Sequence, residues 1–326
     1  AMQRQHRLGR AKTDTGYYSY WREVRPQVNR KATNAFWTNC KFKEQRNAIR
    51  YRTDTLFNQK LAVRYTLSSD ISCPLCTHTD SALHILNGCQ HPILRKMIIE
   101  RHNIASRCIV QALMKGDYGA NVCFTDVGSD TRFKDIGIDA AGIANRELPD
   151  WMVPQLSIQE KQENEKASHP DAILLLPATT CSALSTNRNS GLQHFTKRTF
   201  DHKQWEIHLI EFKYCEDTRP HLQQVRAQEQ HTVLINRLRR LGYKKVSLHI
   251  ILSGAMGTIY NKATDEPLKR LGLDHRRTSQ LTRTLNKHAV NYATKIIQTR
   301  YALQLGNHGS QGWETGALTA NPPDPH

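Results

Sequence analysis

Three cysteines and one histidine between residues 73 and 89 constrain this chain more than any other feature. The segment reads Cys73-Pro74-Leu75-Cys76, then His84, then Cys89, a C-x2-C-x7-H-x4-C pattern. Two thiolates two residues apart grip one side of a zinc ion through a tight turn, and a His and a Cys further on close the tetrahedron. Three thiolates and one imidazole leave no open position, so the expected Zn2+ is structural and folds a knuckle too short to build its own core. His78 and His91 stand near enough to compete with His84 for the fourth place. The remaining cysteines, at 40, 108, 123, 181 and 215, are scattered. That is no disulfide framework and points to a reducing compartment.

The chain has 326 residues, room for two or three domains at about 100–200 residues each. Its formal net charge of +17 is unevenly placed: residues 1–70 carry net +10, residues 71–220 net −2, and residues 221–326 net +9. Two basic flanks around a near-neutral middle read as a polyanion held by the flanks and worked on by the middle, since basic surface gains phosphate affinity by releasing counterions. No apolar run approaches the ~20 residues of a membrane span, and no charged-then-apolar leader is visible. Neither a membrane partner nor secretion is expected.

Periodicity divides the chain into a basic N-terminal arm (1–44), a basic helical segment with the knuckle (45–92), an α/β domain (93–305) and a disordered tail (306–326). The arm interleaves Tyr17, Tyr18, Tyr20 and Trp21 with basic residues, as either a nucleic-acid-contacting arm or a partly ordered extension. A basic amphipathic helix or helix pair is expected over 43–67, with Arg50 and Arg52 as nucleic-acid contacts. Within the α/β domain the pattern predicts helices over 93–114, 220–241 and 278–303. It predicts strands over 120–127, 171–176, 205–214 and 246–252, with residues 177–203 as a long loop.

A second constellation sits inside that domain. His169-Pro170-Asp171 opens an apolar strand, and a later apolar strand ends in Glu211-Phe212-Lys213. Alternation along a strand puts Glu211 and Lys213 on one face, where Asp171 of a neighbouring strand can meet them. Two carboxylates on adjacent strands supply oxygen ligands for Mg2+ or Mn2+. Such an ion polarises a scissile phosphate and acidifies a bound water, while a lysine beside it orients the water or steadies developing charge. An isolated Glu-x-Lys is more often a strand-end salt bridge; the preceding Pro-Asp strand in a basic chain shifts the balance.

These residues resemble the PD-(D/E)xK restriction-like nucleases. The order of the knuckle, Arg101-His102-Asn103, Pro170-Asp171 and Glu211-x-Lys213 resembles the C-terminal part of non-LTR retrotransposon proteins, over roughly residues 45–300. The resemblance implies a restriction-endonuclease-like central mixed sheet flanked by helices, preceded by the basic helical segment and the CCHC knuckle. It implies a metal-dependent DNA endonuclease that nicks target DNA by phosphodiester hydrolysis. The 3′-hydroxyl left behind primes target-primed reverse transcription, with element RNA and the reverse transcriptase portion of the polyprotein as partners and the nucleus as location. No Tyr/Phe-x-Asp-Asp polymerase signature is present, so the chain is expected to be an excised or stand-alone piece. The gap from Asp171 to Glu211 is longer than is usual for such sites.

A third acidic ligand is usual in that family, and Glu100, Asp126 and Asp130 are candidates. Arg219 could hold a phosphate just past the Glu-x-Lys strand. Gln228, Gln230 and His231 lie on the following helix, where a polar residue often faces the site, and Lys244 and Lys245 continue a basic run toward a backbone-tracking surface. Two rival readings stand beside the nuclease: a catalytically silent restriction-like fold that only binds nucleic acid, and a branched-DNA nuclease.

Overall fold

In the computed structural model, which describes residues 17–119, 122–125, 170–176 and 206–308, four strands form one mixed sheet. They are β1 (Val122–Thr125), β2 (Ala172–Leu176), β3 (Glu206–Cys215) and β4 (Lys245–Gly254), arranged in that order. β1 and β2 are antiparallel, as are β2 and β3, whereas β3 and β4 are parallel. A parallel pair cannot be closed by a hairpin; here a helix over Pro220–Arg240 makes the crossover.

The helices follow the expected periodicity within a few residues. The basic segment is a pair, α1 (Phe42–Arg52) and α2 (Gln59–Arg64), broken where Asp54 takes φ +55°. The long helix α3 spans Pro92–Met114, α4 is the crossover Pro220–Arg240, α5 is Glu266–Arg270 and α6 is His275–His308. α5, the π-helical turn Asn261–Asp265 before it, and short helices at Tyr17–Val24, Arg30–Thr33 and Phe36–Asn39 were not foreseen. No helix of the described residues is long and apolar enough to cross a membrane.

Alternation decides which helix covers which face of the sheet. Ile173, Leu175, Ile207 and Leu209 meet Leu234 and Leu238 of α4 on one side. Leu174, Ile210, Phe212 and Tyr214 meet Ile109 and Leu113 of α3 and Leu281, Leu285 and Ala289 of α6 on the other. Glu211 and Lys213 therefore fall on the α4 side of the strand.

Packing runs across the boundaries drawn from sequence. Phe36, Ala48, Ile85, Leu86 and Leu94 share one core with Met256, Val290 and Ile296. Val24 and Phe36 are buried, and Asn29 bonds the backbone of Ile259. From Trp21 onward the basic arm is thus built into the fold beside the β4–α5 connection. Residues 1–16, residues 177–203 expected as a loop, the candidates Asp126 and Asp130, His169 and residues 309–326 lie outside the described residues, while residues 306–308 of the expected tail belong to α6.

Candidate functional site

The Asp171 carboxylate is fixed at the mouth of β2. The antiparallel register pairs Ala172 with Ile210, and one step further brings Asp171 level with Glu211. One oxygen of Asp171 accepts from the Phe212 amide at 2.6 Å, and the other lies 3.0 Å from Nε2 of His102 on α3. Burial disfavours the ionised carboxyl. His102, the Phe212 amide and the nearby Lys213 outweigh it and hold Asp171 below the usual carboxylate range.

Glu211 is buried in the neighbouring strand. Its Oε1 touches the ammonium of Lys213, and its Oε2 lies 3.0 Å from Nε2 of the fully buried His231 on α4. That second contact is not aligned as a hydrogen bond, so Oε2 is a buried oxygen without one. The structure brings Asp171, Glu211 and Lys213 together, and adds His102 from one helical layer and His231 from the other. Glu100 does not join them: it is exposed on α3.

Lys213 and His102 open onto a cleft of about 560 Å³. Its other walls are the knuckle at His84, Asn87 and Gly88, and the start of α4 at Gln223 and Arg226. The knuckle is joined to the Glu-x-Lys strand through Arg101, which is completely buried. Its guanidinium donates to the Leu86 carbonyl at 2.9 Å, to Oδ1 of Asn87 at 2.5 Å and to the Ala255 carbonyl at 3.3 Å. It also lies over the Tyr214 ring at 4.0 Å, a contact worth about 2 kcal/mol when desolvated. Just past Lys213, buried Asp217 accepts from the Met256 amide and the Thr258 hydroxyl, anchoring the β3–α4 turn to the chain after β4. Gly254 is required there, because a Cβ would sit 2.5 Å from the Asp217 carboxyl carbon.

The knuckle brings together the donor atoms of Cys73, Cys76, His84 and Cys89, all within 4.8 Å of one another. Sγ of Cys76 and Cys89 are 3.8 Å apart, the edge of a tetrahedron with Zn–S bonds of about 2.3 Å. Nε2 of His84 is 3.2 Å from Sγ of Cys76. A π-helical turn over His84–Gly88 sets the spacing between the last two donors. His78 instead bonds the Cys76 carbonyl through Nδ1 and stays exposed, and His91 stands at the N-cap position of α3 without a side-chain capping bond. Burial works against the Cys76 thiolate, but the Gln90 and His78 amides bring that thiol down to about 7. Burial pushes the Cys89 thiol up to about 12, with Cys73 adding to the rise. The four residues form a closed Cys3His set that could hold structural zinc.

The expected nucleic-acid contacts are dispersed. Arg50 is exposed on α1. Arg52 is not a free surface cation: it donates to the Met256 carbonyl at 3.2 Å and lies 4.6 Å over the Phe36 ring, because its end of α1 packs inward. Arg219, half-buried at the start of α4, borders a smaller cavity of about 350 Å³ with Lys60 and Glu216. Lys245 pairs with Glu206 at 2.6 Å. The β3–β4 register matches Lys245 to Glu206, so Lys244 and Lys245 stand at the strand ends opposite the site, about 16 Å from Glu211 at roughly 3.3 Å per residue.

Sequence reasoning left Arg101 and His102 without a role. Leu94, Ile98, Arg101, Ala105 and Ile109 recur at three- and four-residue steps, so a cation occupies a position on the buried stripe. That misfit was the available signal. No protein-family model matches this chain, and neither any curated protein nor any solved structure does.

Proposed function

We propose that this chain is a metal-dependent DNA endonuclease with a restriction-like catalytic core and a structural zinc knuckle, from a non-LTR retrotransposon, acting in the nucleus. The observation that carries the reading is that β2 and β3, far apart in sequence, bring Asp171 level with Glu211 and its partner Lys213, and that Lys213 lines a cleft. The donor set suits a hard divalent ion: two carboxylates, one with a buried oxygen lacking a hydrogen bond. Mg2+ or Mn2+ held by Asp171 and Glu211 would polarise the scissile phosphate and acidify its water.

The chain's own residues account for the rest. His102 and the Phe212 amide keep Asp171 ionised and oriented. Lys213, facing the cleft, steadies charge that builds on the phosphate as water attacks. The P–O3′ bond breaks, leaving a 3′-hydroxyl to prime reverse transcription of element RNA and a 5′-phosphate. Arg226 and the knuckle wall flank the place where the strand would lie.

One observation favours a second reading, a silent fold that binds nucleic acid: both oxygens of Asp171 are already engaged by protein donors. A plasmid-nicking assay in Mg2+ decides between them. Nicking by the parent, lost in Asp171→Ala and in Lys213→Ala with DNA binding retained, supports the endonuclease. A parent that binds and never nicks supports the silent fold, and variants that nick as fast as the parent refute the site.

A further inference from the structure

The first half of α6 carries a feature that the cleft does not use. Arg276, Ser279, Gln280, Arg283, Thr284 and Lys287 recur at three- and four-residue steps and so share one helix face, bordering a groove of about 630 Å³ with Asn39 across it. The lining holds no carboxylate and no large apolar side chain. Arg276, Arg283 and Lys287 are exposed, and none pairs with a carboxylate among the described residues. Arg277, by contrast, turns toward Asp117 and Asp274.

Local electrostatics oppose this arrangement. The first turn of α6 contains His275, Arg276 and Arg277; Asp274, just before it, accepts from the Arg277 amide at 2.7 Å and lies 3.5 Å from the Arg277 guanidinium, so the one acid at the positive end of the helix dipole serves Arg277. Arg283 and Lys287, four residues apart, repel each other, and neither they nor Arg276 have a carboxylate partner among the described residues; an anion in the groove would relieve that repulsion.

We infer that this groove binds the phosphodiester backbone of a nucleic acid, at a site separate from the cleft. From Arg276 to Lys287 the helix rises about 16 Å at roughly 1.5 Å per residue. That matches four to five nucleotide steps at about 3.4 Å of axis each. Guanidinium forks suit phosphate oxygens, and the neutral Ser, Thr, Gln and Asn side chains between them are ordinary phosphate donors. A membrane surface fits less well, because it asks for apolar residues beside the basic ones. The choice of polyanion rests on the nucleic-acid reading above, but binding here does not depend on the cleft being catalytic.

The test is equilibrium binding of the full chain, without Mg2+, to DNA and RNA duplexes of about 30 base pairs between about 50 and 200 mM salt. The parent is compared with R276Q/R283Q/K287Q, after circular dichroism and zinc content show both folded. Each phosphate contact on DNA contributes about 0.9 to the log–log salt slope. The variant's slope is expected to fall by about 2–3, so the parent's advantage shrinks roughly 40-fold across that range. R239Q/R240Q/K244Q, at the far end of α4, is expected to lose less. A loss confined to one duplex names the nucleic acid bound. An unchanged slope on both duplexes, or a parent indifferent to salt, overturns the groove assignment. A parent that binds steeply but never nicks sinks the endonuclease reading and leaves the groove intact.

Discussion

Nε2 of His231 lies 3.0 Å from Oε2 of Glu211, with both side chains shut away from solvent, yet neither atom is aligned in a hydrogen bond. A buried polar atom left this way costs about 1–3 kcal/mol, and such atoms cluster where a fold is completed by a ligand or stores strain for function. His231 reaches Glu211 only because α4 folds back over the sheet between β3 and β4. His231→Ala is therefore expected to slow single-turnover nicking by at least about tenfold while DNA binding in solution stays at the parent value. Equal nicking rates would make His231 a core residue and nothing more.

Arg300 of α6 and Asp80 of the knuckle form a buried pair, with guanidinium–carboxylate distances of 2.7 and 3.3 Å. Asp80 also accepts from the Gln59 amide, so one carboxylate ties α2, the knuckle and α6 together. Removing one partner strands a buried charge. Arg300→Met is expected to cost about 3–5 kcal/mol in denaturant unfolding. The double variant Arg300→Met with Asp80→Leu is expected to recover most of that loss. Additive losses would mean that the two side chains are not coupled, and would refute the pair.

Metal content is the third expectation. Atomic absorption is expected to find one zinc per chain, lost in Cys89→Ser. Chelation is expected to lower the thermal midpoint by about 10 °C or more. The effect reaches beyond the knuckle because Cys73, Cys89, Ile85 and Leu86 belong to the same core as Val290 and Ile296 of α6. A chain that melts identically with and without chelator rules this out.

His249 on β4 and His208 on β3 meet at 2.8 Å between ring nitrogens. Burial first, then His208 and Arg270, hold His249 down to about 4, and burial lowers His208 as well. A folded-state pKa below the unfolded value of about 6.5 means the unfolded chain takes up the proton first as pH falls. This contribution is fully present above about pH 6.5 and is lost toward pH 4, by on the order of 1 kcal/mol per pH unit. Thermal melts at pH 7, 6 and 5 are expected to fall more steeply for the parent than for His249→Gln. Parallel curves would refute the assignment.

Gly254 offers a simple packing test. Alanine there drives a methyl into the Asp217 carboxylate. Overpacking of this kind costs about 1–3 kcal/mol. Chemical denaturation is expected to show that loss for Gly254→Ala, and an unchanged midpoint would mean the turn shifts freely.

Much of the architecture was legible because it is written in local periodicity. The two-residue rhythm of Ile207 to Lys213 sets a strand with acid and amine on one face whatever packs against it. The three- and four-residue rhythm around Ile109 and Leu234 sets helices, and C-x2-C with His84 and Cys89 sets a ligand group within reach of one ion. What stayed hidden was long-range. Whether His84 or one of its neighbours turns inward depends on a π-helical turn and on where the Cys76 carbonyl directs His78.

The linear order of residues determined the strands, the long helices, the Cys3His group and the excess of positive charge, since each depends on spacing or on side-chain chemistry alone. Only the tertiary structure decided that Asp171 stands level with Glu211, that His102 and His231 approach them from opposite layers, and that Arg52 serves the interior. Those contacts join residues tens to hundreds of positions apart. They exist because burying both faces of one small sheet leaves α3, α4 and α6 few other places to pack.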